Sequence, residues 1–553
     1  MDLIITNAVI LKLNAQNEKA CSLAVKDGRI MEIWDTPTPP TNTVNISDQT
    51  KIVNLEGATL IPGFIDTHNH ILSYALMMDM VNCSSPLNTT IEDLVTRIRA
   101  KAEQLPEGQW IQGFGYDDTL LQEQRHPTRK ELDKAVPNHP VYISHSSGHI
   151  AVANSKALEL AMIPENIEDT SKGSFGRDSN GCLNGVLYEH AAMCPVTQVI
   201  PEKTEAEMIE LLGKAAQEYI SQGITMNTDA AVGMLNDPGK ELQVHFKAAK
   251  SKVNPMRSQL MIMHTLLQGG GMFSHYSAEQ LAQEIQEQSN GRIQLDSAKL
   301  FQDGSIQGLT GALRQPYYCD GQLTGNLIHE QKAFNKQLLD LHSRGFRIAI
   351  HGNGDKAIES ILEGYEYALQ NAPRQDHRHR IEHAQTASSE DLRKMKALGV
   401  ASSFFINHVY YFGDRHERIF LGPERAQRIS PVKEAADKGL LFTVHSDCPI
   451  TPISPLFSIW AIVNRLTIEG RVLGADQRTD VLTALKSMTL YGAQLNFDEE
   501  ASGSIEVGKR ADFAILDKDP TAVDPIHIKD IKVLATFIDG EMVYKRAKSL
   551  VTY

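Results

Sequence analysis

Residues 62–70, Pro-Gly-Phe-Ile-Asp-Thr-His-Asn-His, decide how this chain is read. A short apolar run ending in two histidines one residue apart reads as a strand, in which side chains alternate with period two. His68 and His70 therefore point the same way and can grip one cation. Taken alone, the spacing fits two polar residues at a strand end equally well, and only residues further along the chain can separate the two readings.

Outward from this strand, apolar runs alternate with helical stretches. In TEAEMIELLGKAAQEYISQG (204–223), Met208, Leu211, Leu212 and Ala215 recur at helical spacing. Strand-like runs fall at 63–66, 141–144, 224–227, 259–263, 298–301, 347–350, 379–381, 400–404 and 441–444. Alternation of this kind predicts parallel β/α units, and a (β/α)8 barrel needs eight strands. The segment 76–202, rich in Gly, Pro, Asn and Ser, reads as an insertion after the first strand and contains the surplus run at 141–144.

Both chain ends have a different texture. LIITNAVI (3–10), SLAVKDGRIMEIW (22–34) and IVNLEGATLI (52–61) are short β-rich runs, and GSIEVGKRADFAILD (503–517) and KVLATFIDGEMVYK (532–545) repeat the pattern. Neither end has enough strands to bury two faces. The expected fold is α/β: a TIM-like (β/α)8 barrel from 62–75 and 203–502, a composite β-sandwich from 1–61 and 503–553, and the insertion 76–202.

Composition excludes several function classes. The 553 residues carry 54 Lys+Arg against 68 Asp+Glu, a net charge of −14, which disfavours nucleic acid and acidic membrane surfaces. With 42% hydrophobic and 22% charged residues the chain reads as globular. Cys21, Cys83, Cys182, Cys194, Cys319 and Cys448 are scattered without a CxxC pair, which fits a reducing compartment. The first twenty residues lack a signal-peptide pattern, and no run approaches the ~18 apolar residues of a membrane span. A soluble, cytoplasmic protein acting on a small molecule is expected, with a homodimer as the assembly considered.

The companions of His68 and His70 sharpen the chemistry. His351 follows the apolar run RIAI, His383 follows HRIE, and Asp447 follows LFTVHS, each just past a barrel strand, where barrel enzymes place their active sites. Four imidazoles and a carboxylate suit Zn²⁺ or a similar divalent ion. Lys299, in DSAKLFQDGS, lies in a barrel-wall strand where a bare ammonium is costly to bury. It is either paired with Asp303 along the strand face or carboxylated by CO₂ into a bridging ligand.

These motifs carry a resemblance. PGFIDTHNH, KLFQDGS, IHGNGD, IEHAQ and VHSDCPI, in that order, together with the closing GSIEVGKRADFAILD, resemble the amidohydrolase superfamily over nearly the whole chain. The similarity is greatest to its amidohydrolase-3, or YtcJ-like, branch, which includes N-substituted formamide deformylases. The resemblance implies that His68, His70 and Asp447 bind a more buried metal, His351 and His383 a more exposed one, and carboxylated Lys299 bridges them. One or two ions per chain are compatible, Zn first, with Mn or Fe as alternatives. It implies hydrolysis of a linear non-peptide amide with Asp447 as general base. Cyclic amide hydrolysis and ring deamination use the same ligands. A silent barrel acting as a binding or assembly protein is the rival of another class, and six filled ligand positions argue against it.

Tyr116 in GFGYDDTLL, His149 in HSSGHIAVANS and His445 are the further candidates for substrate contact, each weighed against a purely structural role. Phe404, Phe405, Tyr410 and Tyr411 could make the pocket aromatic and favour an apolar substituent.

Overall fold

The computed structural model describes residues 1–40, 46–170, 172–547 and 551–552. Residues 41–45, 548–550 and 553 of the chain-end segments, and residue 171 of the insertion, lie outside the described residues. Contacts divide the chain into two compact units, Met1–Leu72 with Leu212–Tyr553, and Ser73–Leu211.

Eight parallel strands form the centre of the first unit: β1 (Phe64–Asn69), β2 (Ile224–Val232), β3 (Arg257–Met263), β4 (Ile293–Phe301), β5 (Ile348–Gly352), β6 (Arg380–His383), β7 (Ala401–Phe405) and β8 (Phe442–His445). They lie in sequence order, each beside the next. The seam between β8 and β1 is drawn together by hydroxyls, with Thr67 Oγ1 2.7 Å from Thr443 Oγ1 and 3.3 Å from Ser403 Oγ. A helix precedes each of β2 to β8. Several start where the sequence supplies a cap, as at Ser277 with Gln280, Ser388 with Asp391, and Asp237 ahead of Pro238. This is the TIM-like barrel expected from the alternating pattern.

The strand at 224–227 is longer than its apolar run, continuing to Val232 with every residue buried. Asp229 breaks the hydrophobic pattern yet stays inside, because Leu72 N–H donates to its Oδ2 at 3.2 Å and His245 Nε2 lies 3.4 Å from the same oxygen. The run at 141–144 is absent from the barrel. Val141–His145 instead sits in the six-stranded sheet of the second unit, parallel to Ile111–Tyr116 and antiparallel to Ile150–Ala153.

The two chain ends pair. Thr59–Pro62 runs antiparallel to Phe513–Leu516, and Lys51–Asn54 antiparallel to Val551–Thr552. The five- and six-stranded sheets so formed share one core, with Ile5, Ile10, Leu23, Val25 and Leu60 from the first end packed with Phe513, Ile515, Ala535 and Phe537 from the second. Burying a Val, Leu, Ile or Phe side chain of this kind contributes about 1.5–3 kcal/mol. The sandwich is tied to the barrel by Arg257, which bonds Asp512 at 2.7 Å and also reaches Asp539.

Candidate metal centre

The carboxyl ends of β1, β5, β6 and β8 bring five imidazoles and one carboxylate together. His68 Nε2 and His70 Nε2 lie 3.2 and 3.4 Å from Asp447 Oδ1. The His68 ring centroid is 4.9 Å from that of His383 and 4.5 Å from that of His445, and His351 and His383 are 4.5 Å apart. In a pleated strand His383 would face away from the side taken by Glu382. A left-handed backbone at His383 (φ 70°) and Ala384 (φ 43°) ends the pleat there, and Asp447 (φ 53°) has the same unusual conformation. Non-glycine residues hold such angles at a cost of about 1–3 kcal/mol, and they concentrate at functional sites.

The hydrogen-bond partners of each nitrogen show what the site can hold. His68 Nδ1 meets Glu382 Oε2 at 2.6 Å, so the proton sits on Nδ1 and the Nε2 lone pair faces Asp447 Oδ1. Two acceptors opposed at 3.2 Å, both buried, repel unless a cation lies between them. Asp447 Oδ1, His383 Nδ1 and both ring nitrogens of His445 are buried without a hydrogen-bond partner. His351 Nε2 lies 3.0 Å from both the Gly304 carbonyl and Asn353 Nδ2.

Electrostatics agree with this pattern. Burial raises the Asp447 carboxyl, but positive charge at His68, His70 and His383, whether a proton or a cation bound there, outweighs it and holds it well below the usual carboxylate range. Burial pushes the imidazole of His351 down to about 4 and that of His445 to about 3, and His383 lies well below its ordinary value. Neutral imidazoles and an ionised carboxylate are the forms that bind divalent metal. Among the described residues, His68, His70 and Asp447 form one group spaced to hold an ion, and His68, His383 and His445 another.

Lys299 is buried in the wall of β4, and burial pushes its ammonium down to about 8. Asp303 is not its partner. That carboxylate accepts from the backbone N–H groups of Ala312, Asn353 and Gly354 at 2.7–2.9 Å. Lys299 Nζ instead lies 4.9 Å from the centre of the Phe301 ring.

The remaining sequence candidates divide between the units. His445 lies in the cluster. Tyr116 and His149 belong to the second unit, where Tyr116 is buried with its hydroxyl 3.2 Å from His126 Nδ1, while His149 is exposed and 3.0 Å from Glu189. Of the four aromatics after β7, Phe405 packs against His445 and His408, with ring centroids 5.4 and 4.0 Å apart. Phe404 faces Phe442, while Tyr410 and Tyr411 pack on Phe457. Sequence reasoning missed Glu382, although a carboxylate one place before a candidate ligand is visible in IEHAQ. It also missed His408, which is buried with Nδ1 unpartnered.

A family model described as "Amidohydrolase family" matches residues 51–544. N-substituted formamide deformylase of Arthrobacter pascens is 29% identical over 99% of both chains. Putative amidohydrolase YtcJ of Bacillus subtilis (strain 168) is 26% identical over 91% of this chain and 92% of its own. The crystal structure of an uncharacterized metal-dependent hydrolase from Pyrococcus horikoshii OT3 superposes with a TM-score of 0.75 at 26% identity, covering 95% of this chain and 99% of that one.

Proposed function

The chain belongs to the amidohydrolase family, metal-dependent hydrolases of carbon–nitrogen bonds, and on that premise we propose that it cleaves a linear, non-peptide amide. The leading substrate class is an N-substituted formamide or N-acyl amine with an apolar substituent, in keeping with the deformylase relative and with Phe405 beside the histidines. The observation that carries the reading is the pair of opposed acceptors, His68 Nε2 and Asp447 Oδ1, at 3.2 Å with the His68 proton held on the far side of the ring.

The donor set fits a divalent metal, Zn²⁺ first and Mn²⁺ or Fe²⁺ as alternatives. His68, His70 and Asp447 would hold one ion and His351 and His383 a second, with carboxylated Lys299 between them. When bound, such an ion lowers the pKa of water and polarises the scissile carbonyl.

The chain's own groups do the rest. Asp447 is ionised at neutral pH, as a proton acceptor must be, so it takes the water's proton and returns it to the departing amine nitrogen. His445, neutral and with both ring nitrogens unpartnered, would hydrogen-bond the substrate. Phe405 supplies apolar surface beside it. Six unpaired cysteines are in keeping with a reducing, cytoplasmic location. Among the described residues, no helix is long and apolar enough to cross a membrane.

The test is a turnover panel with Zn²⁺- or Mn²⁺-loaded protein against formamides, acyl amines, lactams and aminated rings. Release of formate or another acid with a free amine from the linear compounds is expected. Turnover confined to lactams or aminated rings would replace this reading with its cyclic rival.

A further inference from the structure

The interior of the barrel below the histidines contains a line of charge that the proposed chemistry does not use. Arg347 pairs with Asp296, Asp296 Oδ1 lies 3.0 Å from Arg380 Nη2, Arg380 Nε donates to Glu382 Oε1 at 2.5 Å, and Glu382 Oε2 reaches His68 Nδ1 at 2.6 Å. The signs alternate from Arg347 to Glu382, and the line ends on the His68 imidazole. Arg380, Glu382 and His68 are each at most 1% exposed.

Such a line is poorly explained by stability. Desolvating four charges is expensive, and well-packed apolar side chains of the same volume often serve a core as well or better. What apolar packing cannot do is fix an imidazole tautomer. The Glu382 carboxylate has two oxygens and both are committed, one to each neighbour. Arg380 can only donate, so it holds Oε1 and leaves Oε2 to receive the His68 proton. Arg380 and Glu382 are two residues apart on β6 and so share its inward face.

We propose that Glu382, held by Arg380 and Asp296, is a positioning residue that fixes His68 as the Nδ1–H tautomer and so keeps its Nε2 lone pair facing Asp447. The line acts through His68, and its effect on metal affinity rests on the proposed role of His68 as a ligand. Partners of this kind commonly change metal affinity about 10–100-fold.

Glu382→Gln gives a test with a definite sign. Glutamine has one side-chain oxygen, and Arg380 N–H requires it. The amide N–H₂ is then left facing His68 Nδ1, which must accept, so the proton moves to Nε2 and the lone pair is lost. The experiment uses the metal-free full chain labelled with ¹⁵N-histidine, with the His68 signals identified by their loss in His68→Ala. The Nδ1–H tautomer is expected in the parent and the Nε2–H tautomer in Glu382→Gln, with Zn²⁺ bound about 10–100-fold more weakly by competition against a chelator. An Nε2–H tautomer in the parent, or unchanged tautomer and affinity in Glu382→Gln, overturns the inference. The parent measurement stands even where the variant folds poorly. If the tautomers invert as expected but the parent binds no Zn²⁺, the hold of Glu382 on His68 is upheld and the metal reading of the site fails.

Discussion

Two His-x-His pairs lie in this barrel, and their surroundings could hardly differ more. His68 and His70 stand at the carboxyl end of β1, while His377 and His379 stand just before the amino end of β6. At the second pair every ring nitrogen is used. Ile348 N–H donates to His379 Nδ1 at 3.0 Å, so His379 Nε2–H donates to His342 Nδ1 at 2.9 Å, and His342 Nε2–H to the Ala372 carbonyl at 2.7 Å. His377 Nδ1 accepts from His379 N–H at 2.9 Å and its Nε2–H goes to the Leu398 carbonyl at 2.8 Å. At the first pair, both Nε2 atoms converge on Asp447, and the neighbouring His383 and His445 have buried nitrogens without a hydrogen-bond partner. Buried imidazoles with complete partners belong to the structure. Buried imidazoles with spare lone pairs are the form that binds a divalent cation.

The contrast can be broken from either end. Asp447→Asn keeps the shape and one oxygen but cannot take a proton, so kcat is expected to fall by about 10²- to 10⁴-fold. KM should change much less, and most of the metal should stay bound. Metal lost in step with activity would make Asp447 chiefly a ligand, whereas full activity would move the proton to another group, with His445 first. Lys299→Ala should lose much of the activity and regain part of it on addition of a small carboxylate, read as turnover against added formate or acetate. Density for an unmodified ammonium in metal-loaded, active protein would remove the bridge.

At the floor of the barrel the effects are smaller and of another kind. His379→Phe strands the Ile348 N–H and His342 Nδ1, which should cost about 1–3 kcal/mol in urea unfolding and leave metal content unchanged. Loss of metal in this variant would join two regions that the geometry separates. The floor should also respond to acid. Burial lowers His342 and His377 from the ordinary imidazole value of 6.5 and takes His379 well below it. The unfolded chain therefore binds protons near pH 6.5 that the folded chain refuses. Stability is full above that pH and declines as pH falls toward the folded values, by at most about 1.4 kcal/mol per pH unit for each proton. His377→Asn, whose side chain can still accept from His379 N–H but takes up no proton, should make the decline shallower. An unchanged slope would place the acid sensitivity elsewhere.

The same comparison shows what the sequence can reveal. The barrel is legible because parallel strands buried on both faces read as apolar runs between amphipathic helices. His351, His383 and Asp447 stand out because each ends such a run. The spacing of His68 and His70 is shared by His377 and His379, so spacing alone cannot separate a metal grip from a structural pair. The end of the strand separates them, together with the partners of each nitrogen. Glu382 escapes notice because its meaning comes from His68, 314 residues away across the barrel. Asp229 reads as lying beyond its strand because its polarity is visible in sequence and the groups that satisfy it are not.

The central claim is that the upper pair grips a divalent cation and the lower pair does not. Metal content measured by mass spectrometry tests it most directly, on the parent, on His68→Ala with His70→Ala, and on His377→Asn. One or two equivalents of a divalent metal are expected in the parent and in His377→Asn. The double variant should have little or none while keeping its circular dichroism, since strand ends at a barrel mouth add little to the core. Equal metal in the double variant and the parent would contradict the claim.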